Sequence, residues 1–169
     1  MRGKAAVGMN GAYTIIGRMR VLLVHHADAV GPGVDTQRPL SDLGRRQADE
    51  LAKAAAAIGF APAAIWHSGK LRSRETAEAF LRACAPFAQF KMIRGLLPDD
   101  PPEWLRDELG AEDRDVLLVG HMPHIARLTA LLSGGAVAMP LHGTVGFERG
   151  KDGSWTIFSE PKGPVRSSP

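Results

Sequence analysis

The sequence predicts an α/β protein: a three-layer α/β/α sandwich with a mainly parallel central sheet and a C-terminal β-hairpin. Three observations predict it. Residues 21–24 and 116–119 are apolar at every position, which suits strands buried on both faces. Stretches with helical spacing alternate with short apolar runs along the chain. Near the end, residues 144–148 and 155–158 flank a Lys151-Asp152-Gly153 turn and read as two paired strands.

The elements follow in order. After the first strand, Ser41 is placed to cap a helix with Asp42 in its first turn. The helix runs through Gln47, Ala48 and Leu51 to about Ile58 and is closed by Gly59. Ala64, Ile65 and Trp66 read as a second strand. Residues 71–84 read as a second helix, stopped before Pro86, and residues 90–93 as a third strand. Residues 102–109 form a short helix with proline in its first turn. After the strand at 116–119, a helix over 123–132 ends at Gly134 and Gly135.

The 169 residues suit one domain, placed at 19–160. Residues 1–18 are Gly-rich and aperiodic and read as a flexible extension, with Met19 a possible natural start. The Pro/Gly/Ser-rich residues 161–169 read as a flexible tail. The apolar fraction of 44% is that of a globular protein. The single cysteine, Cys84, rules out an internal disulfide and fits a reducing, cytoplasmic setting. No apolar run approaches the roughly 20 residues of a membrane span. Net charge is only +3 with no basic stripe, so neither nucleic acid nor a membrane is an expected partner.

In open α/β sheets, ligands bind beyond the carboxyl ends of the strands. Those positions are unusually rich here. The first strand runs into His25, His26, Ala27 and Asp28; the second into His67 and Ser68, with Arg72 one turn into a helix. The later apolar strand runs into Gly120, His121, Met122 and Pro123. Three strand ends thus deliver histidines and an arginine to one edge, which a packed core would not require.

With these residues in place the chain resembles the histidine phosphatase superfamily over roughly residues 20–159. An apolar strand running into Arg-His-Gly is matched by Val24-His25-His26-Ala27. An Arg-x-Leu-Ser block is matched by Arg38-Pro39-Leu40-Ser41, followed by Gly44 and Gln47-Ala48. A Ser-x-x-x-Arg segment is matched by Ser68 to Arg72, then Thr76-Ala77. The late Gly-His motif is Gly120-His121. The chain has no room for an inserted cap and looks like the minimal SixA-type phosphohistidine phosphatases. Gly95, Leu96, Leu97 and Pro98, followed by Asp99-Asp100, also fit that group.

The resemblance implies a phosphoglycerate mutase-like fold without a cap domain. It implies a metal-independent hydrolase that forms a phosphohistidine on His26 and needs no cofactor. A neutral imidazole attacking phosphorus in line divides one difficult hydrolysis into two steps. Phosphate contacts are expected from His25, Arg72, His121, Arg38 and Asp28, with His121 ideally charged; Asp99 or Asp100 would supply the proton. Arg38 could equally fix its loop, and Asp28 could itself handle the proton. The expected partner is a phosphorylated protein or a small phosphorylated substrate, for a monomer or weak dimer.

One departure stands out: His25 occupies the place of the family's arginine. It predicts slower turnover and a preference for mildly acidic pH, where His25 would gain charge. Three alternatives stay open at this point: a weak or inactive phospho-binding module, a small-molecule phosphomonoesterase, and a metal-dependent hydrolase using His25, His26, Asp28 and His121. His67, His124 and His142 read as structural or incidental, Arg74 as a solvated helix residue and Cys84 as a small buried apolar group.

Overall fold

The computed structural model describes residues 18–164. It shows a three-layer α/β/α sandwich around one six-stranded sheet. Strands β1 (Met19–His25), β2 (Ala64–His67), β3 (Gln89–Met92), β4 (Val116–Gly120), β5 (Thr144–Arg149) and β6 (Trp155–Lys162) lie in the order β3-β2-β4-β1-β5-β6. The first four in that order are parallel, and the last two add antiparallel to the β1 edge. Helices α1 (Asp42–Ala57), α2 (Leu71–Cys84), α3 (Pro102–Ala111) and α4 (His124–Ser133) fill the two outer layers.

The fully apolar strands explain the layering. On one face Leu22, Val24, Leu117 and Val119 pack with Leu51 of α1 and Phe80 of α2. The alternate residues Val21, Leu23, Val116 and Leu118 pack with Leu105 of α3 and Leu128 of α4. A strand with apolar side chains on both sides can only lie between two helical layers. β1 and β4 pair in parallel register from Val21↔Val116 to His25↔Gly120, so their carboxyl ends emerge side by side.

The predicted elements form with small shifts at their ends. Ser41 caps α1, accepting from the Gly44 N–H at 3.0 Å, and Gly134 closes α4 in the left-handed region at φ 62°. The hairpin's second strand extends beyond Phe158 to Lys162, so Pro161 and Lys162, expected in the flexible tail, lie in strand instead. Proline is tolerated there because β6 is an edge strand, where a missing N–H leaves no partner unpaired. The expectations for residues 1–17 and 165–169 lie outside the described residues. Cys84 is half-buried, with its thiol directed at the Ala52 carbonyl.

One glycine fixes the approach of α1 to the loop after β1. A Cβ on Gly44 would stand 1.9 Å from the Asp28 carbonyl oxygen, a backbone atom that no rotamer change can move. Gly44→Ala is therefore expected to push that loop away and to cost about 1–3 kcal/mol of stability, as overpacking does. Urea unfolding of the variant checks this; an unchanged midpoint would mean that helix and loop do not meet so closely.

Candidate active site

The site forms where β1 ends between two neighbours. The His25 N–H donates to the Gly143 carbonyl beside β5 (3.0 Å), and the His26 N–H donates to the Gly120 carbonyl of β4 (3.2 Å). The two rings stay in contact, with centroids 4.5 Å apart and planes 55° from parallel, and each leans on a further histidine. His25 stacks on His142, with centroids 4.9 Å apart and planes 6° from parallel. His26 leans on His121 at 5.0 Å. The following backbone is tied down by both helices of one layer. The Ala27 N–H donates to Thr76 Oγ1 on α2 (3.1 Å), and the Asp28 N–H donates to Gln47 Oε1 on α1 (3.0 Å). Arg72, in the first turn of α2, directs its Nε–H at His26 Nε2 from 3.3 Å.

Backbone partners settle where the protons sit on three rings. A carbonyl can only accept, so His26 Nδ1 carries a hydrogen for the Ala27 carbonyl (2.8 Å) and leaves Nε2 unprotonated, its lone pair accepting the Arg72 Nε–H. By the same logic His142 Nδ1 donates to the His26 carbonyl (2.7 Å), and its free nitrogen is Nε2. His25 is the reverse case. Its Nδ1 accepts the His142 backbone N–H (2.9 Å), so the neutral ring presents Nε2–H, a donor.

Burial keeps His25, His26 and His121 neutral. Desolvation, reinforced by the neighbouring histidines and Arg72, lowers His25 to about 3. Desolvation lowers His26 to about 4, opposed by its bond to the Ala27 carbonyl and assisted by the charges of Arg72 and Arg38. Desolvation and the adjacent His26 and Arg72 lower His121 to about 2. Two expectations are thereby corrected. His121 is a neutral ring, with Nε2 2.6 Å from Ser68 Oγ, rather than an imidazolium. His25 does not gain charge at mildly acidic pH, because its position is buried and its Nδ1 lone pair already holds a backbone N–H.

The remaining candidates divide. Arg38 adopts φ 49° and donates Nε–H to the Val30 carbonyl, which holds its loop, yet its charge also acts on both His26 and Arg72. Lys70 adds a charge felt by His121. None of Arg38, Lys70 and Arg72 enters an ion pair among the described residues, so their field is available to an anion. Asp28 sits at the rim, with Oδ1 3.9 Å from His142 Nε2 and Oδ2 accepting from the Ser41 hydroxyl. Asp99 is exposed. Asp100 accepts the Leu97 N–H through Oδ2, and its charge acts on His124. No hydrogen bond among the described residues joins either aspartate to the histidines.

His142, read from sequence as incidental, is part of the cluster and corrects that reading. His67 and His124 do not join it. His67 packs on Phe90 and accepts the Gly69 N–H, and His124 is buried with neither ring nitrogen partnered. A ring nitrogen from each of His25, His26 and His142 lies within 4.8 Å of the other two, close enough to share an ion. The donor set suits one poorly. A neutral imidazole has one lone pair, and His25 gives its own to the His142 N–H. Two unprotonated nitrogens remain, that of His26 already accepting the Arg72 Nε–H, fewer than the three protein ligands usual at a catalytic zinc.

Comparison with known proteins fits this geometry. Residues 21–96 match the model of the histidine phosphatase superfamily (branch 1), a span holding three of the four motif blocks. No curated protein matches by sequence. Among solved structures, the protein histidine phosphatase SixA complexed with tungstate superposes with a TM-score of 0.73 at 20% identity, covering 82% of this chain and 94% of that one. A protein of Agrobacterium tumefaciens named for phosphohistidine phosphatase SixA gives 0.69 at 24% identity, covering 83% and 96%. Phosphoglycerate mutase from Plasmodium falciparum gives 0.60 at 19%, covering 90% and 98%. The family match bears out the resemblance to the superfamily read from the sequence, and the solved structures bear out its fold. The fold is phosphoglycerate mutase-like, and the family match supports a phosphatase.

The buried neutral histidines make stability depend on pH. Their native pKa values lie below the ordinary 6.5, so the unfolded chain binds more protons as pH falls below 6.5. Stability is therefore full above that pH and declines towards pH 4. At pH 5 each of the three contributes a loss of about 2 kcal/mol. Urea unfolding at pH 7 and pH 5 should show the fall; equal stability at the two values would contradict the assignment of neutral rings.

Proposed function

We propose that this chain is a metal-independent phosphatase that removes phosphate from phosphohistidine on a protein, through a phosphohistidine formed on His26. The observation that carries the reading is the unprotonated Nε2 of His26, held neutral beside the Arg72 guanidinium. The lone pair attacks phosphorus as the bond to the leaving nitrogen breaks. Water then attacks the same phosphorus from the vacated side and frees Nε2.

Charge on the equatorial oxygens is met by Arg72, with Arg38 behind it, and by neutral N–H donors from His25 and His121. Ser68 can exchange its contact with His121 for one to the phosphoryl group. We assign the leaving-group proton to Asp99 over Asp100, whose Oδ2 already accepts the Leu97 N–H. An imidazole leaving group makes a modest demand on such an acid.

Two features support a protein substrate. Among the described residues no inserted domain stands over the strand ends, so the phosphoryl group can be offered from a surface. Leu141, next to His142, is 64% exposed and gives the rim an apolar contact. Among the described residues no helix is long and apolar enough to cross a membrane, and we place the activity in the cytoplasm.

The test is hydrolysis of a phosphohistidine-bearing protein and of an aryl phosphate, with EDTA present, by wild type and His26→Ala. Turnover should survive EDTA, favour phosphohistidine and fall at least about 10³-fold in the variant, as loss of a nucleophile does. An acid-labile phosphoenzyme should accumulate in wild type alone. Phosphate binding without turnover would indicate the inactive binding module, and preference for the aryl ester would indicate the small-molecule phosphatase. Loss of activity with EDTA would overturn the metal-independent reading.

A further inference from the structure

We propose that His142 is a phosphate-binding residue whose Nε2 takes up a proton together with the incoming anion and so stands in for the arginine that His25 replaces. The inference rests on the functional reading above and adds a contact to its site.

Four observations converge on this ring. It stacks on His25, so it stands beside the position that lacks the charge. Its Nδ1–H is tied to the His26 carbonyl, which fixes the ring and leaves Nε2 as the nitrogen free to take up a proton and contact a ligand. The Asp28 carboxylate lies 3.9 Å from that nitrogen, and the Ser41 hydroxyl holds its other oxygen. Finally, His142 has φ 50°, in the left-handed region that only a few per cent of non-glycine residues occupy. The backbone accepts that conformation where its N–H reaches His25 and its ring reaches the cluster.

Distance separates this role from that of proton donor. In-line transfer puts the leaving atom on the far side of phosphorus, about 5 Å from the attacking nitrogen, with any acid farther still. The His142 ring centroid is 5.9 Å from that of His26, and a nitrogen of each lies within 4.8 Å of the other. His142 therefore flanks the transferring group and meets an equatorial oxygen. The backbone bond to His25 gives it a second effect: by fixing the His25 tautomer it turns Nε2–H of that ring towards the anion. The two histidines together stand in for one arginine.

The test is calorimetric titration with inorganic phosphate at pH 7 of wild type, His142→Asn and the double variant His142→Asn/His25→Arg. Asparagine retains a donor near the position of Nδ1 and the backbone N–H, and it removes only Nε2. The single variant should bind phosphate at least about tenfold more weakly, the loss expected for a charged hydrogen bond, and the added arginine should restore binding. In turnover the loss should appear in KM more than in kcat.

A folded His142→Asn that binds as wild type overturns this inference and leaves the phosphatase reading intact. A wild type that binds no phosphate overturns both. Should the variant fail to fold, nuclear magnetic resonance of the wild type decides. The His142 imidazole signals should move on adding phosphate together with those of His26, and movement of His26 alone would overturn the proposal.

Discussion

The site depends on a hydrogen bond between neighbouring residues: His26 Nδ1–H to the Ala27 carbonyl, 2.8 Å long, at the buried end of β1. It fixes which nitrogen is unprotonated. Burial then removes the competing proton, because an imidazolium at this depth would lose its hydration with no carboxylate to balance it. Arg72 lies close enough to orient an anion and is itself a reason for the ring to stay neutral. An unprotonated ring nitrogen, the nucleophile of the proposed reaction, and an electropositive pocket are thus maintained by the same two facts, depth and tautomer.

Depth comes from the sheet. β1 lies between β4 and β5, so its last residues bond to Gly120 on one side and Gly143 on the other. That placement brings His121 to one ring and His142 to the other. The loop after β1 cannot relax, because Gln47 and Thr76 hold its N–H groups and Gly44 lets α1 press against it. The two apolar clusters on either face of β1 and β4 hold these strand ends in place. Positioning of that kind is what phosphoryl transfer asks of a protein.

Much of this was legible in the sequence for stated physical reasons. Fully apolar residues 21–24 and 116–119 can only be doubly covered strands, and Ser41, Gly59 and Gly134 mark helix ends by their capping chemistry. His26, His121 and Arg72 stood out because each follows a strand. His142 did not, because it precedes its strand and reaches the site only through the antiparallel pairing of β5 with β1. Such pairing is a long-range contact with no local signature. Its one trace is the short Leu141-His142-Gly143 segment before an apolar run, which reads equally well as an ordinary turn. Protonation states were also out of reach. The expected charges on His25 and His121 followed from their chemistry in water, and burial beside like neighbours reversed them.

The measurement that bears most directly on this account is the tautomer of each histidine at pH 7, read from side-chain ¹⁵N shifts in a long-range ¹H–¹⁵N correlation spectrum of the free protein. His26 should show a protonated Nδ1 and a bare Nε2, and His25 the opposite pattern, with both rings neutral. A His26 ring protonated on both nitrogens, or on Nε2 alone, would contradict the account, since no lone pair would then face the incoming phosphorus.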